Sequence, residues 1–410
     1  MKTPQAPSTS RRRFLATAGL GVASAATLRR ATAQGSAANS RIRLGVIGCG
    51  GRGSWITDLF KAHGGYEIVA LADYFDARIQ ESITKNKLTG VRGFTGLQCG
   101  EKLVAAGGVD AVAIISPPYF HPQQVKAAVA AKLHVYLAKP PAVDVPSVNS
   151  IAADGRLSGK QGRVFLVDFQ TRANEFYIEA LRRLHAGQLG EYCFGEAVYH
   201  SDRLKAKAPA GLSAKETLLY NWVFDQVLSG DIIVEQNIHT LDVMSWVMKD
   251  SPPVRCSGTG GRRSRIDVGD CWDHFALMYE YPNNVGITFS SRQYDSFGEP
   301  GGIINRMFGT KGVFSSKYGG QVMVRAKADD FYRGGMTTSI YKDGAVANIK
   351  AFHEQVLAKD TRNPTLEPSI TSNLVAIMGR MAAYEKRTIT WNDVLSSKKK
   401  LQVDLSGLQT

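Results

Sequence analysis

From Ile42 onward, short apolar runs alternate with amphipathic segments, and the alternation predicts a repeated strand–helix order. The first run, Arg43 to Ile47, leads into a segment with Trp55, Ile56, Leu59 and Phe60 on one helical face. Tyr66 to Ala72, Val109 to Ser116, His134 to Leu137 and Val164 to Phe169 have the continuous apolar character of strands covered on both faces. A proline-opened, alanine-rich helix, Pro122 to Ala131, separates the second and third of these four. Units of this size imply a parallel, doubly wound sheet in an α/β fold. Beyond about Thr171 the texture changes: a helix from Asn174 to His185, a strand near Cys193 to Tyr199, then a polar, lysine-bearing stretch. Asp273 to Tyr281 and Val285 to Arg292, joined at Pro282-Asn283-Asn284, read as a hairpin. A second α/β domain with a large, mostly antiparallel open sheet is expected, closed by helices Val346 to Ala358 and Ile370 to Tyr384. Arg387 to Gln409 reads as a short irregular tail. The expected division is an N-terminal segment 1–33, a first domain 41–171 and a second domain 172–410.

The strand ends carry the candidate chemistry. The first apolar run enters Gly48-Cys49-Gly50-Gly51-Arg52-Gly53, a G-x-G-x-x-G turn between a strand and a helix. Glycine there lets a pyrophosphate approach the backbone and lets helix and strand pack closely, while the helix N-terminus faces the phosphates. The second strand ends in Asp73, 25 residues after Gly48, near the spacing of a carboxylate that accepts from both ribose hydroxyls. A Rossmann dinucleotide site is therefore expected from Gly48, Gly50, Gly51, Arg52, Gly53 and Asp73. The acid favours NAD, with NADP as the alternative, since Arg78 is not adjacent enough to rescue a 2′-phosphate strongly. Ser116, Pro117 and His121 lie in the loop after the Val109 to Ser116 strand, where ligands bind in such sheets, and join the expected cofactor set. Lys139 follows the next strand end and can reach substrate or nicotinamide. Glu235, His239 and Asp242 share a face if their segment is helical, at i, i+4 and i+7. A general acid/base pair of Glu235 and His239 suits this trio better than a metal, because no further ligand cluster accompanies it.

Composition narrows the classes. With 410 residues and 44% hydrophobic content the chain can bury two or three domains' worth of core. The net charge of +14 owes six cations to Lys2, Arg11, Arg12, Arg13, Arg29 and Arg30, in a stretch of 33 residues without acids; removing them leaves +8. No basic stripe interleaved with aromatics remains, so nucleic acid is not an expected partner. Five scattered cysteines fit neither a zinc site nor a disulfide framework. Ser10-Arg11-Arg12-Arg13-Phe14-Leu15 resembles a twin-arginine export signal, with a modestly apolar region and an Ala31-Thr32-Ala33 cleavage site behind it. Periplasmic or secreted localisation without a membrane anchor is the expectation.

Taken in order, the turn G-C-G-G-R-G, the S-P-x-x-x-H loop, the H-V-x-x-x-K-P strand end and the acid-x-x-x-His segment resemble the Gfo/Idh/MocA family of sugar oxidoreductases. The resemblance covers essentially the whole chain beyond the leader, including Trp272-Asp273-His274-Phe275 and Gly379-Arg380-Met381-Ala382-Ala383-Tyr384. It implies a Rossmann domain followed by an α/β domain whose open sheet often serves as oligomer interface, hence a homo-oligomer, dimer or tetramer. It also implies that Lys139 matches the lysine of an E-K-P motif and His239 the catalytic histidine. Glu235 stands where an aspartate is more usual, and the E-K-P glutamate is Ala138, so Lys139 lacks that neighbouring anion. The expected activity is hydride transfer between NAD and a sugar or related polyol, with His239 as base, Glu235 orienting it and Lys139 bonding the same oxygen. Arg203, Trp222, Asn237 and Arg292, with Lys205, Tyr220 and Tyr294, are the expected substrate contacts. Export implies a tightly bound dinucleotide loaded before translocation. Redox-assisted glycoside cleavage without net redox, and a sugar-binding protein without turnover, are the alternatives.

Overall fold

The computed structural model describes residues 41–327 and 331–410. The proposed leader and its cleavage site lie outside these residues. The first half runs β1 (Ile42–Ile47), α1 (Gly51–His63), β2 (Tyr66–Ala72), α2 (Asp76–Lys85), β3 (Arg92–Phe94), α3 (Cys99–Ala105), β4 (Ala111–Ile114), α4 (His121–Ala130), β5 (His134–Ala138), α5 (Val145–Lys160) and β6 (Phe165–Asp168). Its six strands form a parallel sheet in the order β3-β2-β1-β4-β5-β6, so the sheet reverses its winding between β1 and β4. Every residue of β4 and β5 is buried, which is why those strands read as unbroken apolar runs.

The second half continues with α6 (Glu175–His185), β7 (Tyr192–Ser201), α7 (Ala214–Tyr220), α8 (Gln226–Ser229), α9 (Ile232–Glu235) and α10 (Ile238–Val247). Then come β8 (Arg255–Gly261), β9 (His274–Tyr281), β10 (Val285–Gln293), β11 (Gly302–Gly309), β12 (Val313–Lys317), β13 (Gln321–Arg325) and β14 (Tyr332–Met336). The chain closes with α11 (Ile340–Ala358), α12 (Leu366–Glu385), β15 (Ile389–Thr390) and α13 (Trp391–Ser396). A nine-stranded sheet, β14-β13-β12-β11-β7-β10-β9-β8-β15, is antiparallel except where β7 meets β10. The β9–β10 hairpin forms as its sequence predicts: Asn283 and Asn284 take the left-handed turn conformation, at φ 63° and 59°. Burial alternates along β9, so one face of this sheet meets the core and the other is open.

Three features differ from the sequence reading. Helices α2, α3 and α5 are not among the predicted elements: α2 buries only Ile79 and Ser82, α3 is seven residues long, and α5 sets its buried Val145, Val148, Ile151 and Ala152 among polar and glycine positions. The segment 232–247 is two helices broken at Gln236 and Asn237, not one. The tail beyond Arg387 adds β15 to the second sheet and a helix with a Thr390–Asp393 capping box. It then returns to the first sheet, where Leu97 N donates to Gln409 O at 2.8 Å and Lys102 Nζ to Thr410 O at 2.9 Å.

Candidate active site

The glycine turn has two kinds of glycine. A Cβ on Gly48, whose φ is +95°, would lie 2.6 Å from Ser116 N, and one on Gly53 would lie 1.8 Å from Gly48 O. The chain's own backbone requires both. A Cβ on Gly51 would meet nothing within 4 Å, and one on Gly50 would meet only the Arg78 side chain, at 3.5 Å. Those two leave open space for a ligand. Asp73 is buried and accepts from Cys49 N at 2.8 Å and Phe75 N at 3.0 Å, so the acid also braces the turn. Burial pushes its carboxyl up, against Arg78 and these N–H groups, which push it down. An apolar pocket opens beside it, lined by Tyr74, Phe75, Leu97, Pro117, Phe120 and Leu219. Apolar walls with one buried acid at the switch point between β1 and β4 fit an adenosine moiety. The tail contributes indirectly, because Val403, Leu405 and Leu408 pack on the cluster that holds Phe120 and Leu219.

At the end of β5 the Lys139 ammonium donates to Glu235 O at 2.5 Å and to Glu235 Oε1 at 3.0 Å. The anion absent at position 138 is thus supplied from α9, and the expectation that Lys139 lacks one is corrected. Ala138 is buried and registers with Asp168 on β6. Glu235 reaches Lys139 because Asp231 holds the start of α9 in a strained conformation, at φ 75° and ψ 164°. The buried Asp231 carboxylate accepts from Ile232 N, Trp272 N and Tyr384 Oη, and burial pushes its carboxyl up to about 6. Trp272 and Tyr384 stack at 3.9 Å behind it.

His239 opens α10 beyond the break. Its Nδ1 is buried and no protein group satisfies it. Loss of water, and then the charges of Lys139 and Arg52, push the imidazole well below its usual range, so it is neutral at pH 7. Glu235 is committed to Lys139 and does not orient His239. Asn237 Oδ1, Gln293 Oε1 and Tyr318 Oη are further buried polar atoms without partners. Tyr318 lies against His239, with ring centroids 5.7 Å apart, and Gln293 donates to Gln236 Oε1. An unpaired buried polar group costs about 1–3 kcal/mol, so such a concentration marks a place where a polar ligand completes the structure.

The other expected site residues are placed as follows. Arg52 turns inward, bonding Asp168 and lying over Tyr341, with its centre 5.2 Å from that ring. His121 is fully buried and brackets two loops: Nε2 is 2.9 Å from Ser116 O, and Nδ1 is 3.0 Å from Pro141 O. Burial pushes it down to about 4. Ser116 Oγ bonds Gln124, and Pro117 lines the apolar pocket. Arg292 is spent on the carbonyls of Ser201, Tyr294 and Glu299, and Arg203 on Asp267. Asp242 pairs with Arg172 at 2.9 Å and accepts from Ser372, away from Glu235 and His239, so the trio does not share a site. Trp222, Lys205 and Tyr220 line an open cleft together with Gly50, Gly51 and Arg78. Sequence reading missed Tyr318, Gln236, Gln293 and Asp231. Only Asp231, beside the glycine at 230, left a local signal.

Residues 42–169 match a family model described as "Oxidoreductase family, NAD-binding Rossmann fold", and residues 177–315 match "GFO/IDH/MocA C-terminal domain". "Inositol 2-dehydrogenase 4" of Saccharopolyspora erythraea is 26% identical over 211 residues, 51% of this chain and 55% of the relative. "Glycosyl hydrolase family 109 protein" of Streptomyces niveus is 29% identical over 167 residues, 40% of this chain and 33% of the relative. The chain spans about half the length of the curated relatives it matches. Among solved structures, GenD2 from gentamicin A biosynthesis in complex with NAD superposes with a TM-score of 0.69 at 14% identity, over 86% of this chain and 97% of that one. At that identity the likeness shows the fold.

Proposed function

The chain belongs to the Gfo/Idh/MocA oxidoreductase family, and from that premise we propose that it oxidises or reduces a carbinol carbon of a sugar or inositol-like polyol with a nicotinamide dinucleotide. The observation that carries this reading is the neutral, unpartnered His239 beside Lys139. Gly50 and Gly51, the apolar pocket and Asp73 fit the dinucleotide, and Asp73 supports NAD as the one preferred. A bound nicotinamide supplies the hydride acceptor. The neutral His239 imidazole takes the proton of the substrate hydroxyl. Lys139 has three donors, two of them engaged by Glu235, and its third bonds the same oxygen as negative charge develops there. Asn237, Gln293 and Tyr318 offer partners to the remaining hydroxyls of a polyol.

The leader motif supports export through the twin-arginine route, with the dinucleotide loaded first and retained. The open sheet face presents Phe194, stacked on Phe308 at 4.5 Å, and Met278, which suits a second copy of this chain. Redox-assisted glycoside cleavage is the second reading, favoured by the glycosyl hydrolase relative. Mass spectrometry of the denatured protein for released NAD(H), then a polyol and glycoside panel read at the absorbance of reduced cofactor, tests both. Net reduction with inositol or a free sugar supports dehydrogenation; glycoside cleavage without net absorbance change supports the second reading. His239→Ala is expected to lower turnover by roughly 10²–10⁴-fold while bound dinucleotide is kept. Turnover at the wild-type rate would sink the assignment of His239.

A further inference from the structure

The cleft in front of the glycine turn is lined by Gly50, Gly51 and Arg78 and also by Leu204, Lys205 and Lys207 of the later half of the chain. Residues 202–209 have no regular structure, yet they are tied down near both ends. Arg203 pairs with Asp267, and Asn221 Oδ1 accepts from Lys207 N at 2.9 Å and from Ala208 N at 3.1 Å. The segment is therefore a strap anchored across the cleft. Among the described residues neither the Lys205 nor the Lys207 ammonium has a carboxylate within ion-pair reach, and both residues are exposed. Arg52, the cation of the turn itself, is spent on Asp168. The cleft wall holds one carboxylate, Glu81, against Arg78, Lys205 and Lys207, so an anion is what the unspent charge suits.

We propose that Lys205 and Lys207 grip the diphosphate of the dinucleotide from across the cleft, so that release of the cofactor requires the strap to lift. The proposal rests on the dinucleotide reading above and moves Lys205 from the substrate to the cofactor. It offers a physical basis for retention: the turn offers N–H donors on one side, and two mobile ammonium groups neutralise the phosphates on the other.

The full-length protein loaded with NADH is chased with excess NAD, and loss of bound-NADH fluorescence gives the release rate. ADP-ribose and adenosine are titrated separately as competitors. In a Lys205→Ala/Lys207→Ala variant, affinity for NADH and ADP-ribose is expected to fall by roughly tenfold or more per lysine, with faster release, while adenosine affinity stays at the wild-type value. Lys205→Arg/Lys207→Arg should restore retention, and added salt should shrink the difference between variants. Unchanged NADH release in the alanine variant overturns the proposal, whether or not a substrate KM rises. Equal weakening of adenosine also overturns it, because the strap would then be shaping the pocket. Wild-type protein that binds neither NADH nor ADP-ribose is a different result, which removes the dinucleotide reading itself.

Discussion

At the scale of single residues, the chemistry depends on which partners are taken and which are left over. Lys139 and Glu235 lie 96 positions apart and meet with side chains only 9% and 14% exposed. Their charges interact in a poorly solvated setting, and neutralising one leaves the other under-compensated. Glu235→Gln, nearly isosteric, is expected to lower kcat by roughly tenfold or more while NADH release is unchanged, measured by steady-state turnover and the chase. Unchanged kcat would mean that Glu235 is only a brace for α9. His239 sets the acid limb. As the proposed base it acts when neutral, burial lowers its pKa, and so kcat/KM should stay flat through pH 6.5 and fall only at more acidic pH. The same sign applies to stability: the unfolded chain takes up this proton first, so stability from His239 is lost as pH drops below the ordinary histidine range. A limb at or above 6.5, absent in His239→Asn, would contradict the lowered value. The Lys139–Glu235 pairing was not legible in sequence, where Glu235 and His239 looked like neighbours on one helix.

At the scale of elements, the turn between β1 and α1 separates folding from binding. Gly53→Ala places a methyl inside contact distance of Gly48 O, and α1 must move off the sheet. A loss of about 3 kcal/mol or more is expected in urea unfolding. Gly51→Ala meets nothing, gains helix propensity and should leave the urea midpoint at or above that of the wild type while weakening dinucleotide affinity. If both variants unfold alike, the space over Gly51 belongs to the protein and not to a ligand. The sequence pattern predicted this turn because strand, glycines and helix are contiguous. It could not show the break at Gln236 and Asn237. Hydrophobic periodicity continues across the break, and tertiary contacts impose it: strained Asp231 held by Tyr384 and Trp272, and Lys139 bonding the Glu235 carbonyl.

At the scale of the whole molecule, late segments complete early ones. α11 docks on the first sheet's flank, where Tyr66 Oη donates to Ile349 O and Trp55 stacks on Tyr341 at 4.6 Å. The tail packs Val403, Leu405 and Leu408 beside the apolar pocket next to Asp73 and is pinned by Lys215, whose Nζ reaches Asp404 at 2.8 Å. Removing residues 401–410 should therefore weaken adenosine and NADH competition in parallel, by fluorescence titration, with most helical circular dichroism retained. Adenosine affinity equal to that of the intact chain would show that the tail does not support the pocket. By itself the sequence determined that the first half is a parallel α/β sheet, where the glycine turn and Asp73 stand at its strand ends, the β9–β10 hairpin and the family. Those features rest on local periodicity, backbone freedom at glycine and asparagine, and residues at strand ends. Tertiary structure alone decided that Glu235 serves Lys139, that Arg52 turns inward to Asp168, that Asp242 leaves the site, and that a lysine strap faces the glycine turn. Each is a competition among charged or polar partners far apart in the chain, and its outcome depends on which groups the fold brings within hydrogen-bond distance and which it buries.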